Sequence, residues 1–168
     1  MSSSSGVIQN INISDGGVPK HSISHAVVNE LGIEGDGHSN TKSHGGPMRA
    51  LCLFSSELQE ALNAEGHTIT PGDLGENITV SGLDWNLVIP GRRFQLGNVC
   101  IEITTYTTPC HKIAAYFKDE DFTRIAREAH ARDITINKMI NIILKDGIKN
   151  AEYRFEHDPK PQLLNETE

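Results

Sequence analysis

Thr108-Pro109-Cys110-His111-Lys112 sets a thiol beside an imidazole and an ammonium at what reads as the start of a helix. Thr108 can accept a hydrogen bond from a first-turn amide, and the fixed φ of Pro109 suits the first helical position. Cys110 then falls in the first turn, where unpaired amides and the positive end of the helix favour an anion. His111 and Lys112 push the same way, lowering the pKa of the thiol, so the segment describes a thiolate: a nucleophile and a soft metal ligand. The alternative is an inert cysteine packed at a strand end, and the segment alone does not separate the two. Cys52 and Cys100 read as small core fillers.

A second cluster is Gly35-Asp36-Gly37-His38, followed by His44-Gly45-Gly46. One carboxylate and two imidazoles can hold a divalent metal, although the spacing matches no well-characterised zinc pattern. The glycines suggest a structured ligand loop instead, in which backbone amides approach a ligand, Asp36 hydrogen-bonds the loop into shape and His44 points at the site. A third stretch, Pro71-Gly72-Asp73-Leu74-Gly75-Glu76-Asn77, offers backbone donors around Gly75. Asn77 can fix a polar ligand by donating and accepting at once, or it and Glu76 can simply satisfy the turn. Arg49, beside the His44 loop, is the guanidinium best suited to a phosphate, whereas Arg92 and Arg93 decorate the turn after Pro90-Gly91. Trp85 either walls a pocket or packs half-exposed.

These segments need a scaffold to bring them together. Gly6 to Ile13 alternates as a first strand, and Asp15-Gly16-Gly17 turns the chain toward Pro19. His25 to Leu31 reads as extended, closed by Gly32. From Gly32 to Met48 runs a polar, glycine-rich loop long enough to suggest function. Arg49 to Phe54 is a short buried run, after which Ser55 or Ser56 caps a helix with Leu58, Ala61 and Leu62 inward, ending near Gly66. Further strands are expected over Ile78-Thr79-Val80, Leu87-Val88-Ile89 and Phe94-Gln95-Leu96, with Gly97-Asn98 turning into Val99 to Tyr106. Past Cys110, Phe122, Ile125, Ala126 and Ala129 recur at helical spacing, and Ile134 to Leu144 at period two, before an Asp146-Gly147 hairpin signal. Many short strands, glycine turns and two or three helices predict one mainly β domain over residues 1–168, a β-barrel with peripheral helices, with frayed tails at 1–5 and 159–168.

A net charge of −7 with no basic stripe argues against nucleic acid as a partner. No apolar run is long enough to cross a bilayer, and Met1-Ser2-Ser3-Ser4-Ser5-Gly6 lacks the parts of an export signal. Three cysteines without Cys-x-x-Cys spacing indicate neither a disulfide framework nor a zinc knuckle, so the reducing cytoplasm is the expected home.

In this order, Gly32-Ile33-Glu34-Gly35-Asp36-Gly37-His38, His44-Gly45-Gly46, Pro71 to Thr79, Gly82-Leu83, Pro90-Gly91-Arg92-Arg93-Phe94, Gly97 and Pro109-Cys110 resemble the molybdenum cofactor sulfurase C-terminal (MOSC) domain in its small stand-alone bacterial form. The similarity covers about residues 6 to 117. Beyond it, where the family runs to a Gly-Asp near its end, this chain has Ile142-Ile143-Leu144-Lys145-Asp146-Gly147-Ile148-Lys149-Asn150.

The resemblance implies a β-barrel-like fold and an association with molybdenum cofactor, and it puts the hallmark cysteine on Cys110. That residue then either receives sulfur as a persulfide from a pyridoxal-phosphate cysteine desulfurase or ligates molybdenum directly. The latter is how relatives that reduce N-hydroxylated bases and amidoximes look to work, drawing electrons from a separate flavoprotein. Asp36, His38, His44, Gly45, Gly46, Gly75, Glu76 and Asn77 are then the expected cofactor pocket, with Arg49 on the pterin phosphate and His111 and Lys112 assisting Cys110. Two other classes stand beside this: a non-catalytic module holding a small anion in the glycine loops, and a zinc hydrolase using Asp36, His38 and His44.

Overall fold

The computed structural model of the chain describes residues 5–41, 44–107 and 111–117, and the backbone of 163–166. Thr108, Pro109 and Cys110 lie outside the described residues, as do the helix and strands expected between 118 and 162.

The organising strand is β1 (Ser5–Ile13). Along one edge it pairs antiparallel with β6 (Ile78–Ser81), matching Val7 to Ser81 and Ile11 to Ile78, with a register shift between Ile8 and Asn10. Its opposite edge is shared: β2 (His21–Ile23) takes Ile11 to Ile13, and β9 (Leu163–Glu166) takes Ser5 to Val7. On its other side β9 pairs with β7 (Arg93–Leu96), which forms a hairpin with β8 (Val99–Glu102) through Gly97-Asn98. At the far end β5 (Leu53–Ser55) runs parallel to β6. The path is β5-β6-β1-β9-β7-β8 with β2 branching from β1, while β3 (Val28–Asn29) and β4 (Gly32–Ile33) make a separate small hairpin.

Alternation on β6 and β7 puts Ile78, Val80, Phe94 and Leu96 into the core, where Leu83, Val88 and Ile33 join them. Phe94 and Val80 are wholly enclosed. The helix α1 (Ser56–Ala64) begins at Ser55, whose hydroxyl accepts from the Leu58 amide at 3.1 Å. Leu58, Gln59 and Leu62 form its buried face. Nearby are buried Ile69, Ile113 and Phe117, the last two in or just after a 3₁₀ helix over His111–Tyr116.

The fold is mainly β with few helices, and among the described residues β5 and β8 are the two edges of the sheet. Other expectations are corrected. Leu87-Val88-Ile89 is a turn rather than a strand: Leu87 N donates to Asp84 O at 2.9 Å, and the segment finds no ladder partner among the described residues. The polar tail is not simply frayed, since Leu163–Glu166 lies between β1 and β7, where two ladders satisfy its backbone whatever its composition. The helix start expected at Thr108 lies outside the described residues, and just past it His111–Tyr116 form a 3₁₀ helix. Cys100 is no core filler; it is exposed on the edge strand β8.

Past Glu102 the chain leaves its ladder. Ile103 still exchanges backbone hydrogen bonds with Gly91 and Arg92 at 2.8 Å. Beyond that point the run to Thr107 leans on the segment leading into β5 through side chains. Thr104 Oγ1 donates to Met48 O at 2.7 Å, and Cys52 Sγ meets Thr107 Oγ1 at 3.5 Å. Between the two sheet edges lies a cavity of about 960 Å³. No helix of the described residues is long and apolar enough to cross a membrane.

Candidate functional site

Asp36 is the hub of the glycine loops. Its carboxylate is fully buried and accepts from the Ser14 amide at 2.9 Å, from Lys20 Nζ at 2.5 and 2.6 Å, and from Asn77 Nδ2 at 2.8 Å. His38 Nδ1 stands 3.9 Å from the same group. Burial alone would raise the carboxyl, but hydrogen bonds from Lys20, Asn77 and Ser14 and the Lys20 charge outweigh it, holding Asp36 below the usual carboxylate range. Lys20 is only 9 % exposed along its side chain, so the pair is largely withdrawn from water.

The glycines are what let this hub form. Gly37 donates to Ser14 O at 2.5 Å, and a Cβ there would strike the Asp15 carbonyl. Gly72, at φ +95°, lies against Lys20, whose carbonyl a Cβ would overlap; Lys20 N donates to Gly72 O at 2.9 Å. Gly45 similarly leaves room for the His38 ring.

Asn77 ties three segments together. Its side chain donates to Asn12 O at 3.2 Å as well as to Asp36, and accepts from Cys52 N at 3.1 Å, while its backbone bonds to Cys52 O and Asn12 N. Both amide protons are thus committed within the protein. Glu76 is nearly as enclosed, at 2 % exposure: Oε1 accepts from Gly72 N at 2.7 Å and Thr79 Oγ1 at 3.0 Å, and Oε2 is buried without a partner. Burial pushes its carboxyl above the ordinary value, against the hydrogen bonds that favour ionisation.

A raised folded-state pKa means that Glu76 contributes stability below the unfolded value near 4.5 that is lost as pH rises through the folded value. Glu76→Gln reproduces the neutral acid, since the two donors need only Oε1. Denaturant unfolding between pH 4 and 8 is therefore expected to show the variant gaining on the wild-type protein as pH rises. Parallel curves would mean that the carboxyl ionises without cost.

His44 is exposed near the hub, and its pKa is lowered, first by partial desolvation and then by the positive groups of His38, Arg49, Lys20 and Lys112. Arg49 and Lys112, two of the cations named from the sequence, belong to that set, and both are exposed. Gly45 and Gly46 both adopt φ +77° beside it, and Gly75 turns the third loop at φ +85°. His111 and Lys112 open the 3₁₀ helix, exposed; Cys110 lies outside the described residues. Burial raises the Cys52 thiol, as expected of a structural rather than a reactive sulfur. Among the described residues no three of His, Cys, Asp and Glu gather to hold a metal ion, and Asp36 is committed to Lys20 and Asn77.

Sequence reasoning missed Lys20, Ser14 and Asn12. Lys20 follows a turn and a proline with nothing to mark it as buried. Asn12, wholly buried between Ile11 and Ile13, was hidden by the alternation that made β1 legible.

The family model described as the MOSC domain matches residues 40–139. Among curated proteins, Protein YiiM of Escherichia coli (strain K12) is 30% identical over 103 residues, covering 59% of this chain and 46% of that protein. The uncharacterized protein YflK of Bacillus subtilis (strain 168) is 33% identical over 89 residues, 51% and 39% of the two chains. The chain thus spans less than half the length of these two relatives in the matched region. Of solved structures, YiiM from Escherichia coli superposes with a TM-score of 0.56 at 24% identity, over 78% of this chain and 59% of that one. The YUAD protein of Bacillus subtilis gives 0.55 at 15% identity, over 88% and 84%. These superpositions show a shared fold.

Proposed function

The chain belongs to the MOSC domain family, and from that premise we propose that it binds molybdenum cofactor and does its chemistry through the sulfur of Cys110. What carries the reading is that Arg49 and Lys112 act on His44, beside His38, in a chain of net charge −7, while the nearby Lys20 charge is matched by Asp36. Such a local reversal of sign fits a phosphate-bearing ligand. Glycine backbone at Gly45, Gly46 and Gly75 lets that ligand approach closely.

Arg49 takes the phosphate, its guanidinium being suited to a bidentate grip. His44, with its lowered pKa, meets the ligand as a neutral imidazole. Asp36, Lys20 and Asn77 do not reach the ligand; they hold the loops that do. When bound, the cofactor supplies two-electron chemistry at its metal. Cys110 serves in one of two ways. As a carrier, its thiolate attacks the outer sulfur of a persulfide on a cysteine desulfurase; the donor's sulfur–sulfur bond breaks, the donor leaves as a thiolate, and Cys110 keeps the sulfur. As a ligand, its thiolate would hold molybdenum, and the bound group would supply the reduction of N-hydroxylated bases or amidoximes with electrons from a flavoprotein. Either role suits a reducing, cytoplasmic setting.

Native mass spectrometry of freshly isolated protein separates the outcomes, because bare thiol, persulfide and cofactor adduct differ in mass. Extra sulfur or a molybdenum-containing adduct that maps to Cys110 is the expected result. Unmodified protein, even after incubation with a persulfide donor and with the cofactor, overturns the proposal.

A further inference from the structure

We propose that Cys52 is a positioning residue for Cys110, holding the segment that leads to it against the hub of the glycine loops. The inference rests on the reading of Cys110 as the reacting sulfur. That segment has little else to hold it. Ile103 makes the last backbone hydrogen bonds after β8, and among the described residues Thr104 to Thr107 make no backbone–backbone bond. Their attachments run through side chains instead. Thr104 Oγ1 donates to Met48 O at 2.7 Å, and Thr107 Oγ1 meets Cys52 Sγ at 3.5 Å. The second is the one closer to the reacting thiol: Cys110 follows Thr107 by three residues, a reach of at most roughly 11 Å.

Cys52 is a firm anchor because its backbone is fixed on both sides. Cys52 N donates to Asn77 Oδ1 at 3.1 Å, and Cys52 O accepts from Asn77 N at 2.8 Å and from Ile78 N at 3.1 Å. Asn77 in turn donates to Asp36 at 2.8 Å and to Asn12 O at 3.2 Å. A continuous hydrogen-bonded route thus runs from the buried Asp36 through Asn77 and Cys52 to Thr107, and only its last link lies at the surface. In that link the thiol is a weak hydrogen-bonding group and not a nucleophile, in keeping with its burial. Beyond Cys110 the chain is fixed again. Ile113 and Phe117 are buried, Thr68 N donates to Tyr116 O at 3.4 Å, and the Phe117 ring lies 5.1 Å from that of His67. Residues 108–110 are therefore bracketed by two attachments, one made by packing and the other by a single side-chain bond. The weaker of the two decides how far the sulfur can stray, and misplacing a reacting group by about 1 Å can cost on the order of a hundredfold in rate.

The test measures, on the full chain, amide hydrogen exchange and sulfur uptake at Cys110 from cysteine persulfide. Thr107→Val removes the hydroxyl at an exposed position and Cys52→Ala removes the thiol, whereas Thr107→Ser and Cys52→Ser keep a partner for the bond. The Val and Ala variants are expected to exchange the amides of residues 104–112 about tenfold faster, the worth of one hydrogen bond, and to take up sulfur about tenfold more slowly. The thermal transition of Thr107→Val should stay in place. The double variant should do no more than either change alone, since both remove the same bond, and both serine variants should match the wild-type protein. Unchanged exchange in the Val and Ala variants, additive effects in the double variant, or faster exchange with sulfur uptake unaltered overturns the proposal. A wild-type protein that takes up no sulfur overturns the reading of Cys110 and not the attachment, which the exchange series decides by itself.

Discussion

Asp36→Asn is expected to destabilise the protein by about 3–5 kcal/mol, because it leaves the Lys20 ammonium without its counter-charge in a place that water barely reaches. The loss is more than electrostatic. The carboxylate accepts from Ser14 N, Lys20 Nζ and Asn77 Nδ2 together, and an amide in its place has one acceptor oxygen and adds two donors. Two loops and the end of β1 lose their common fixing point. Urea unfolding at neutral pH measures the effect, and a change below about 1 kcal/mol would mean that the pair is solvated and the hub is not structural.

Acid gives the same test without mutation. A carboxyl held below its ordinary value contributes stability that is fully present above the unfolded value near 3.8 and is lost as pH falls through the lower folded value. The wild-type curve should therefore drop in that acid window, and the Asp36→Asn curve should lack this component. Removing both charges, with Lys20→Met alongside Asp36→Asn, is expected to recover part of the loss, since a missing pair costs less than a stranded ion.

The second large effect is functional. Cys110→Ser is expected to reduce persulfide formation and cofactor retention to background while the thermal transition stays in place. A hydroxyl is neither as acidic nor as soft a ligand as a thiol, so it cannot carry sulfur or hold molybdenum in the same way. Cys52→Ser and Cys100→Ser are the comparison: Cys52 has a thiol raised by burial, and Cys100 sits on an exposed strand edge remote in sequence from the loops. Both should load normally. Undiminished loading of the Cys110 variant would remove the thiol from the chemistry altogether.

Legibility followed the range of the interaction. Ser55 as a cap, β1 from its alternation, and the Gly97-Asn98 hairpin were readable because each is decided within a few residues. Leu87-Val88-Ile89 had strand composition yet became a turn, since a strand needs a neighbour that sequence does not announce. Cys100 was misplaced for the same reason: whether a strand is central or marginal depends on the topology. At the candidate site, Asp36 was legible as the residue that shapes its loop, but its partner Lys20 was not, because nothing local distinguishes a lysine that will meet a carboxylate sixteen residues away. The committed hydrogen bonds of Asn77 were equally hidden, as they join segments that only the fold brings together.

The position of Leu163–Glu166 carries a consequence for how the molecule assembles. Ser5 pairs with Asn165 and Leu96 with Leu164, so the seam between the two halves of the sheet is sewn by a strand far along the sequence from both of its neighbours. The β7–β8 hairpin forms from neighbours and can do so early, whereas this insertion must await nearly every residue between its partners. Until it arrives, β1 and β7 each present an unsatisfied ribbon of amides and carbonyls to the surroundings. A nascent chain is therefore most vulnerable to sticking to its own kind during that interval, before the joining strand is in place.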